Sequence, residues 1–484
     1  MNNIPENIFF VGAGGIGMAN LVRYFISCNR NVAGYDRTPS PLTEALRAEG
    51  ADLFFNDVAS LIPESFRNPD TTLVVYTPAV PDSSEILTWF RSNGFRVIKR
   101  AALLGEITRS LKGICVAGSH GKTSTTCMTA WILAQTRNAC NAFLGGILRN
   151  TCSNLMVSSL SDYAVIEADE YDRSFHQLSP FIAVVTSTDP DHLDIYGDAE
   201  HYLEAFSIFT SLIRPGGYLL SHTGVQLSPQ LQEGVTHFTY SGYRAAELLA
   251  AGNPEGERMK GDWWASDTVF QPGRLFFTLN GPDGLRIENI ELGVPVEINI
   301  DNAVAAAAAA ILAGADNEAV RTGLSSFRGA RRRFEIWMRG DAPEDGGQVL
   351  IDDYAHSPNE VEASIRSVRK LYPGKKLTVI FQPHLYSRTR DFAPQFAQAL
   401  SKADDVIMPE IYPARELPIP GISSYTILDE ITTSKTYCER KDLPNLIKNR
   451  NFEILMTLGA ADIDLLLPEI KNLLQQKALP SAGY

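Results

Sequence analysis

The chain has 484 residues, 44% of them apolar and 20% charged, and its formal net charge is −13. This length exceeds what one hydrophobic core supports, so we predict about two to four domains. The acidic balance excludes a general affinity for nucleic acid or anionic membranes, and any phosphate ligand must therefore be held by local features.

A strand and a glycine-rich turn open the chain. Residues 8–11 are apolar, glycines follow up to Gly17, and the next strand, residues 31–35, ends at Asp36. A glycine turn between strand and helix, with an acid about 20 residues on, matches the dinucleotide-binding fingerprint. Such a turn can bind any nucleotide that carries a diphosphate. The alternative to a binding site is a structural turn that only packs the helix on the strand. The candidate substrate-binding residues are Gly14, Gly15, Ile16, Gly17 and Asp36.

The strands and helices that follow alternate along the rest of this region. Residues 73–76 predict a strand and residues 85–92 a helix. This alternation indicates a parallel sheet that ends near residue 110.

A second glycine turn, within residues 114–126, predicts a nucleoside triphosphate site. An apolar strand precedes it and a helical pattern follows, so backbone N–H groups, a lysine ammonium and a threonine hydroxyl converge on one point. The spacing departs from G-x-x-x-x-G-K-[ST] because Val116 stands at the first glycine position, and a plain turn with a solvated lysine is the alternative. The candidates are Gly118, Ser119, His120, Gly121, Lys122, Thr123 and Ser124.

Acidic clusters follow the next two predicted strands. Glu167 comes directly after residues 163–166, and His192 lies among several aspartates behind residues 182–186. Carboxyl ends of parallel strands meet at one edge of a sheet, so both clusters should lie beside the phosphate turn. We predict that Thr123, Glu167 and His192 hold Mg²⁺ together with phosphate oxygens. Taken singly, each acid could instead be a solvated loop residue that binds no metal.

Residues 225–298 predict antiparallel strands at the edge of the central domain rather than a site, with Trp263 and residues 275–279 as the clearest signals. An alanine-rich helix begins at Asn302. Its polar opening, residues 299–302, either caps the helix or contacts a base, and the sequence alone favours the cap.

Four arginines within residues 328–333 interrupt the acidic chain. They predict either a solvated linker or an arginine held over the transferring phosphate as two domains close. Strand patterns then recur at 349–351, 377–381, 405–408 and 454–458, which predicts a smaller parallel sheet. Ser357 and Glu360 match a capping box. Histidines and arginines again gather behind strands, at His356, His384 and Arg388.

The six cysteines, at 28, 115, 127, 140, 152 and 438, form no Cys-x-x-Cys pair. We interpret them as buried free thiols in a reducing cytosol. The apolar N-terminal stretch lacks a preceding basic residue, and no run of about 18 apolar residues follows. We therefore expect a cytoplasmic protein.

In this order the motifs resemble the Mur ligase family, and most closely its alanine-adding members. The likeness covers the whole chain. The motifs are Gly-Ile-Gly-Met (15–18), Gly-Ser-His-Gly-Lys-Thr (118–123), Glu-Ala-Asp-Glu (167–170), Asp-Pro-Asp-His-Leu-Asp (189–194), Asn-Ala-Val-Ala-Ala (302–306), Arg-Arg-Phe (332–334), Asp-Asp-Tyr-Ala-His (352–356), Phe-Gln-Pro-His (381–384) and Tyr-Pro-Ala-Arg-Glu (412–416).

The resemblance implies ATP-driven amide formation in peptidoglycan precursor synthesis. The lactyl carboxylate of UDP-N-acetylmuramate would attack the γ-phosphate of ATP, and the amine of L-alanine would displace phosphate from the acyl phosphate. It also implies an α/β fold of three domains: a Rossmann-like UDP-binding domain (1–110), a central P-loop-type ATPase domain with a parallel sheet (111–328) and a smaller Rossmann-like C-terminal domain (329–484) that closes over ATP and the amino acid.

The resemblance also implies roles for single residues. Lys122 should contact the β- and γ-phosphates and Thr123 the first Mg²⁺, while Glu167 and His192 should hold the second. The first-domain glycines should bind the UDP diphosphate. Asn302 should contact the adenine, Arg333 the γ-phosphate and Asp353 the ribose of ATP. The pocket for the sugar and the amino acid should be shaped by His356, His384 and Arg388.

This chain departs from the family's pattern at three points. Residues 201–213 contain no lysine that could be carbamylated, as some members require. Ser357 and Leu385 replace a histidine and an arginine, which leaves fewer donors for the alanine carboxylate and shifts its recognition toward Arg388 or backbone groups. Ser357 has a local purpose as a helix cap, whereas Leu385 has no physical explanation.

Three other functions compete with the alanine ligase. A recycling ligase for an intact tripeptide would need a roomier third-domain pocket, and the Phe-Gln-Pro-His stretch argues against it. A nicotinamide dehydrogenase would leave the Lys-Thr turn and the acidic clusters without a task. A non-catalytic nucleotide sensor would not need the metal and lysine positions.

Overall fold

The computed structural model describes residues 4–414 and 416–478. Arg415 and the side chains of Leu193 and Asp194, which belong to two of the motifs above, lie outside this description. The chain folds into two compact units. The first runs to Asp267 and adds residues 278–290 and 300–325; the second holds residues 268–277, 291–299 and those from Ser326 onward.

The first sheet is five-stranded and parallel, as predicted, with the order β3-β2-β1-β4-β5. Its central strand β1 is buried along its whole length, as a strand covered on both faces must be. The elements are β1 (Asn7–Val11), α1 (Ile16–Ser27), β2 (Asn31–Tyr35), α2 (Pro41–Ala48), β3 (Asp52–Phe54), β4 (Thr72–Tyr76), α3 (Glu85–Ser92), β5 (Arg96–Lys99) and α4 (Arg100–Ser110).

The second sheet has ten strands in the order β15-β14-β13-β12-β11-β10-β6-β9-β7-β8. The predicted edge strands β13 and β14 do lie at one end. The strands are β6 (Lys112–Ala117), β7 (Asn141–Leu148), β8 (Ser153–Met156), β9 (Tyr163–Glu167), β10 (Ile182–Val185), β11 (Tyr218–His222), β12 (Thr236–Ser241), β13 (Trp263–Gln271), β14 (Arg274–Asn280) and β15 (Arg286–Glu291).

Seven helices accompany these ten strands. They are α5 (Lys122–Leu133), α6 (Leu193–Tyr196), α7 (Ala199–Ser211), α8 (Tyr243–Ala250), α9 (Pro254–Met259), α10 (Ile298–Leu312) and α11 (Asn317–Ser326). The first two sheets share one apolar core, in which the Tyr24 and Phe143 ring centroids lie 5.0 Å apart. This shared core explains why the first sheet and strands β6 to β12 of the second sheet fall within the first unit.

Helix α10 corrects one prediction. It begins at Ile298, four residues before the predicted start at Asn302, so residues 299–302 lie inside the helix and do not cap it. The alanines from Ala305 to Ala310 are fully buried, so the helix is set by close packing on both sides rather than by an amphipathic pattern. Asn302 is consequently a buried side chain within the helix.

The third sheet, in the second unit, has the order β16-β17-β21-β18-β19-β20. Strand β16 pairs antiparallel with β17, so the prediction of an all-parallel sheet is wrong at this edge. The elements are β16 (Glu335–Met338), β17 (Val349–Asp353), α12 (Pro358–Leu371), β18 (Leu377–Phe381), α13 (Tyr386–Leu400), β19 (Asp405–Met408), α14 (Tyr425–Leu428), β20 (Ser434–Tyr437), α15 (Leu443–Lys448), β21 (Ile454–Leu458) and α16 (Leu467–Ala478).

All six cysteines are free thiols, as predicted, but they are not all buried: Cys152 is exposed and Cys28 is half-buried. Cys152 lies in a turn after β7, where its left-handed backbone (φ 52°) places it at the surface. Among the helices of residues 4–414 and 416–478, none has the length and apolar character that a membrane span requires.

Candidate functional site

The phosphate turn joins β6 to α5, as predicted. Gly118 and Gly121 have φ of 137° and 80°, in the region that favours glycine. A Cβ at Gly118 would lie 2.1 Å from Thr186 Oγ1, and one at Gly121 would lie 2.7 Å from Asn302 Oδ1. Gly121 is also the N-cap of α5, so no side chain caps the helix and its first N–H groups can receive an anion.

Hydrogen bonds to the loop that follows β10 hold this turn in place. The Ser119 hydroxyl donates to the Asp189 carbonyl (2.5 Å), and the His120 N–H donates to Ser187 Oγ (2.7 Å). The Thr186 hydroxyl donates to the His120 carbonyl (2.5 Å). Two of the predicted nucleotide-binding residues, Ser119 and His120, thus also anchor the turn to the loop that follows β10.

Lys122 opens α5, with Thr123 and Ser124 half-buried in the same first turn. Its ammonium donates to the Gly118 carbonyl (2.6 Å) and to Glu170 Oε1 (2.7 Å). Glu170 is 1% exposed, whereas Lys122 keeps 15% of its side-chain surface exposed. The sequence analysis assigned a role to Glu167, at the end of β9; only the folded chain shows that Glu170, three residues later, is the acid that reaches Lys122.

Asn302 lies against the phosphate turn from the side of α10. Its Oδ1 accepts from the Thr125 hydroxyl at 3.2 Å. The preceding Asp301 instead accepts from the Tyr243 N–H (3.0 Å), at the start of α8, and lies 3.2 Å from His222 Nε2. Neighbouring residues of one polar stretch therefore have different tasks: Asp301 caps another helix, and Asn302 contacts the predicted nucleotide site.

Two of the predicted metal ligands follow strands that flank β6: Glu167 ends β9, and His192 lies in the loop after β10. Strands β9 and β10 both pair parallel with β6, with Glu167 opposite Val116 and Val185 opposite Ala117. The carboxyl ends of the three strands therefore meet beside the phosphate turn, as predicted. The Glu167 carboxylate packs directly on Gly145, where a Cβ would lie 2.2 Å from Oε2.

His192 has a left-handed backbone (φ 52°), and its ring packs edge-on against Tyr171 with centroids 5.3 Å apart. Within residues 4–414 and 416–478, no group of three or more His, Cys, Asp or Glu side chains is arranged to hold a metal ion. A magnesium ion bound by one or two side chains plus phosphate oxygens does not need such a group.

The first glycine turn is tied to the acid that the fingerprint predicts. The Gly14 N–H donates to Asp36 Oδ2 at 2.6 Å, so Asp36 fixes the turn. Gly15 is the N-cap of α1, and Ile16 is 55% exposed. Arg100, at the start of α4, packs so closely on Gly17 that a Cβ there would lie 2.3 Å from its Nη1. Arg100 escaped the sequence analysis because it lies 83 positions along the chain from Gly17.

In the second unit, Arg333 lies between two residues with left-handed backbones, Arg332 (φ 60°) and Phe334 (φ 45°). The Arg332 guanidinium donates to the carbonyls of Gly459 (2.5 Å) and Ala461 (2.6 Å). The Arg333 guanidinium lies 5.5 Å from the Tyr354 ring centroid. Arg332 therefore fixes the turn that presents Arg333.

Asp353 ends β17 and holds the same turn. Its Oδ1 accepts from the Phe334 N–H at 3.2 Å, and its Oδ2 accepts from the Ser364 hydroxyl. Burial raises the pKa of Asp353 above its ordinary value. The adjacent Asp352 is fully buried and accepts from the Thr457 hydroxyl at 2.6 Å; burial raises its pKa to about 7.

His356 and Arg388 lie together, since Arg388 Nη1 donates to the His356 carbonyl at 3.5 Å. The predicted capping box is confirmed: Ser357 is the N-cap of α12 and Glu360 completes it. His384 stacks on Tyr412 with centroids 5.9 Å apart. Burial, with a smaller contribution from the Arg388 charge, lowers the pKa of both His356 and His384. The lowered pKa favours the neutral form of both imidazoles.

Three family models match successive parts of the chain. They are described as the Mur ligase family catalytic domain (residues 7–112), the Mur ligase middle domain (116–310) and the Mur ligase glutamate ligase domain (332–454). The matched segments contain both glycine turns, the acidic clusters and the arginine-bearing turn described above.

Full-length relatives extend this match. A UDP-N-acetylmuramate–L-alanine ligase of Parabacteroides distasonis is 52% identical over 96% of this chain and 97% of its own, and one of Porphyromonas gingivalis is 49% identical over 97% and 99%. Among solved structures, the UDP-N-acetylmuramate-alanine ligase MurC of Thermotoga maritima matches with a TM-score of 0.73 and 26% identity over 97% of this chain and 99% of that one. With its sheets, its glycine turns and the order of its motifs all accounted for, this chain belongs to the Mur ligase family.

Proposed function

We propose that this protein is an ATP-dependent ligase that joins L-alanine to the lactyl carboxylate of UDP-N-acetylmuramate in peptidoglycan precursor synthesis. One observation carries the assignment: relatives of that name match along nearly the whole chain, at up to 52% identity over 96% of it. The phosphate turn with its half-buried lysine supplies the chemistry that such a ligase needs.

In the first step the lactyl carboxylate attacks the γ-phosphorus of ATP, and ADP leaves. In the second, the alanine amine attacks the acyl carbon and phosphate leaves. Phosphoryl transfer needs positioning and charge neutralisation more than covalent help from the protein. The N–H groups at the start of α5 would bind phosphate oxygens, and Lys122 would contact the β- and γ-phosphates. Asn302, which already lies against the turn, would contact the adenine.

Magnesium fits the residues that surround this turn. A threonine hydroxyl and a carboxylate are oxygen ligands of the kind Mg²⁺ prefers, and the carboxyl ends of β6, β9 and β10 meet there. Thr123 would hold one ion, and Glu167 with His192 another. The bound ion would neutralise charge on the phosphates; the protein's own task would be to hold these side chains beside the phosphate turn.

Residues of the predicted C-terminal domain carry the remaining proposed roles. Arg333, presented by the turn that Arg332 and Asp353 fix, would contact the γ-phosphate. Asp353 would contact the ATP ribose, and His356, His384 and Arg388 would shape the sugar and amino-acid pocket. Neutral histidines suit this task because they can donate or accept a hydrogen bond without adding charge.

The sugar nucleotide would bind at the first glycine turn, through Gly14, Gly15, Ile16 and Gly17, with Asp36 fixing the turn from behind. We also propose the three-domain division at residues 110 and 328, supported by three separate family models, which match residues 7–112, 116–310 and 332–454. The free thiols support a cytoplasmic location, where such thiols stay reduced.

The test is a phosphate-release assay with ATP, Mg²⁺ and UDP-N-acetylmuramate, in which the amino acid is varied. Release that requires both the sugar nucleotide and L-alanine is the expected result. Turnover with the tripeptide but not with alanine would instead assign the recycling reaction. A murein peptide ligase of Psychrobacter arcticus shares the fold, with a TM-score of 0.59.

A further inference from the structure

Glu170 is a buried carboxylate to which the reaction outlined above gives no role. It follows β9 and is 1% exposed. Its backbone is fixed on two sides, because its carbonyl accepts from the Tyr196 hydroxyl (2.5 Å) and from the Arg173 N–H (2.9 Å). Tyr196 is itself 4% exposed, so the position of Glu170 is set by the core and not by solvent.

The fixed carboxylate acts on the lysine of the phosphate turn. Glu170 Oε1 lies 2.7 Å from Lys122 Nζ, and the Gly118 carbonyl takes a second N–H at 2.6 Å. An ammonium group has three donors, so these bonds leave one N–H for a phosphate oxygen and fix its direction. Glu170 therefore restricts where Lys122 can point.

The same contact changes the charge of the turn. A carboxylate in direct contact with an ammonium offsets most of its positive charge, and the burial of Glu170 limits how far water screens the pair. Glu170 Oε2 is shielded from solvent and has no hydrogen-bond partner among residues 4–414 and 416–478, so it can accept a donor that arrives with the nucleotide. The turn therefore presents oriented N–H groups to a nucleotide, but it carries little net positive charge.

We infer that Glu170 is a positioning residue that makes nucleotide binding depend on the divalent cation. With Lys122 neutralised, a metal-free nucleotide meets little compensation for its phosphate charge, whereas a magnesium-bound one brings its own. The same ion pair orients Lys122 for the transfer step. This inference rests on the proposed function only in taking the turn to bind a nucleoside phosphate.

The experiment compares Glu170→Gln with the parent protein by calorimetric titration of ADP, with magnesium and with a chelator. Glutamine keeps the shape and an acceptor for Lys122 but removes the charge. We expect metal-free ADP to bind about tenfold more tightly to the variant, since one repulsive charge is gone, while magnesium-bound ADP changes much less. The turnover number should fall roughly tenfold or more, because Lys122 is less firmly oriented.

Asp172→Asn is the matched control. Asp172 lies in the same loop and pairs with Lys99 at 3.1 Å, but about half of each side chain is exposed. The Asp172→Asn variant should bind metal-free and magnesium-bound ADP as the parent protein does, and its turnover number should not change. Glu170→Asp, which keeps the charge but shortens the side chain, should keep the magnesium preference and lose turnover.

Unchanged affinity for metal-free ADP in Glu170→Gln, with UDP-N-acetylmuramate still bound, would overturn the inference. So would parallel loss of ADP and sugar-nucleotide binding in both Glu170 variants, which would make Glu170 a folding residue only. The ADP titrations need neither alanine nor sugar nucleotide. If they behave as expected while alanine-dependent turnover is absent, the proposed reaction fails and the role of Glu170 stands.

Discussion

Replacement of Lys122 by alanine separates two properties of the phosphate turn. We expect the variant to lose turnover, because the ammonium that would contact the terminal phosphates from this turn is removed. UDP-N-acetylmuramate should bind with nearly unchanged affinity, since its predicted turn lies on β1 and α1, in a different sheet. The variant should also be less stable, because Glu170 loses its partner.

The size of this destabilisation follows from the burial of the pair. Removing one partner of a buried ion pair costs about 3–5 kcal/mol, because the other charge is left uncompensated. Lys122 keeps 15% of its side-chain surface exposed, which lets water reach the pair and favours the lower end, about 3 kcal/mol. For a unit of this size, about 2 °C of melting temperature corresponds to each kcal/mol, which gives a shift of about 6 °C.

Thermal unfolding and calorimetric titration of UDP-N-acetylmuramate test both expectations. Lys99→Ala is the matched control: it breaks an exposed lysine–aspartate pair and should cost about 1 kcal/mol or less. The double variant Lys122→Met with Glu170→Gln removes both charges and should recover most of the lost stability. Equal melting temperatures for Lys122→Ala and Lys99→Ala would refute the reasoning about burial. Loss of sugar-nucleotide binding in Lys122→Ala would refute the separation of the two sites.

Three further predictions concern other parts of the chain. Arg100→Ala should weaken UDP-N-acetylmuramate binding roughly tenfold or more in titrations, because a guanidinium packed on Gly17 can form a charged hydrogen bond to the diphosphate; metal-bound ADP affinity should not change. Burial raises the pKa of Asp352 from 3.8 to about 7, so between these values the folded protein keeps a proton that the unfolded chain has released. Stability should therefore fall as pH rises from about 4 to 7, by up to about 1.4 kcal/mol per pH unit, and urea unfolding of Asp352→Asn should show a flatter slope over that range. Ser357→Ala removes the N-cap of α12 and should lower the free energy of unfolding by about 1 kcal/mol in the same urea titrations. Ser357→Asn, which can still cap the helix, should retain most of the stability that the alanine variant loses.

Sequence reasoning succeeded where the signal is local. The helix starting at Lys122 and the capping box at Ser357 lie where they were predicted, and the strands predicted at 163–166 and 182–186 end within one residue of the observed β9 and β10. Each depends on residues a few positions apart, because turn geometry, helix capping and strand alternation are properties of short stretches.

It failed where distant packing overrides the local pattern. Residues 299–302 look like a helix cap, but the helix extends past them because its alanines are buried on every side. Strand β16 was missed because four residues behind an arginine-rich turn carry almost no periodicity, and only pairing with β17 makes them a strand. Cys152 was expected to be buried, and a left-handed turn places it at the surface.

The sequence by itself determined the family, the alternation of strands and helices, and the two glycine turns where phosphates are expected, because these follow from residue order and short-range geometry. Only the tertiary structure decided which acid pairs with Lys122, which residue of the Asp301–Asn302 pair faces the phosphate turn, and that Arg100 packs on the first glycine turn. Such contacts join side chains from separate elements, and strand register and helix packing, rather than spacing along the chain, determine which of several similar side chains is close enough to interact.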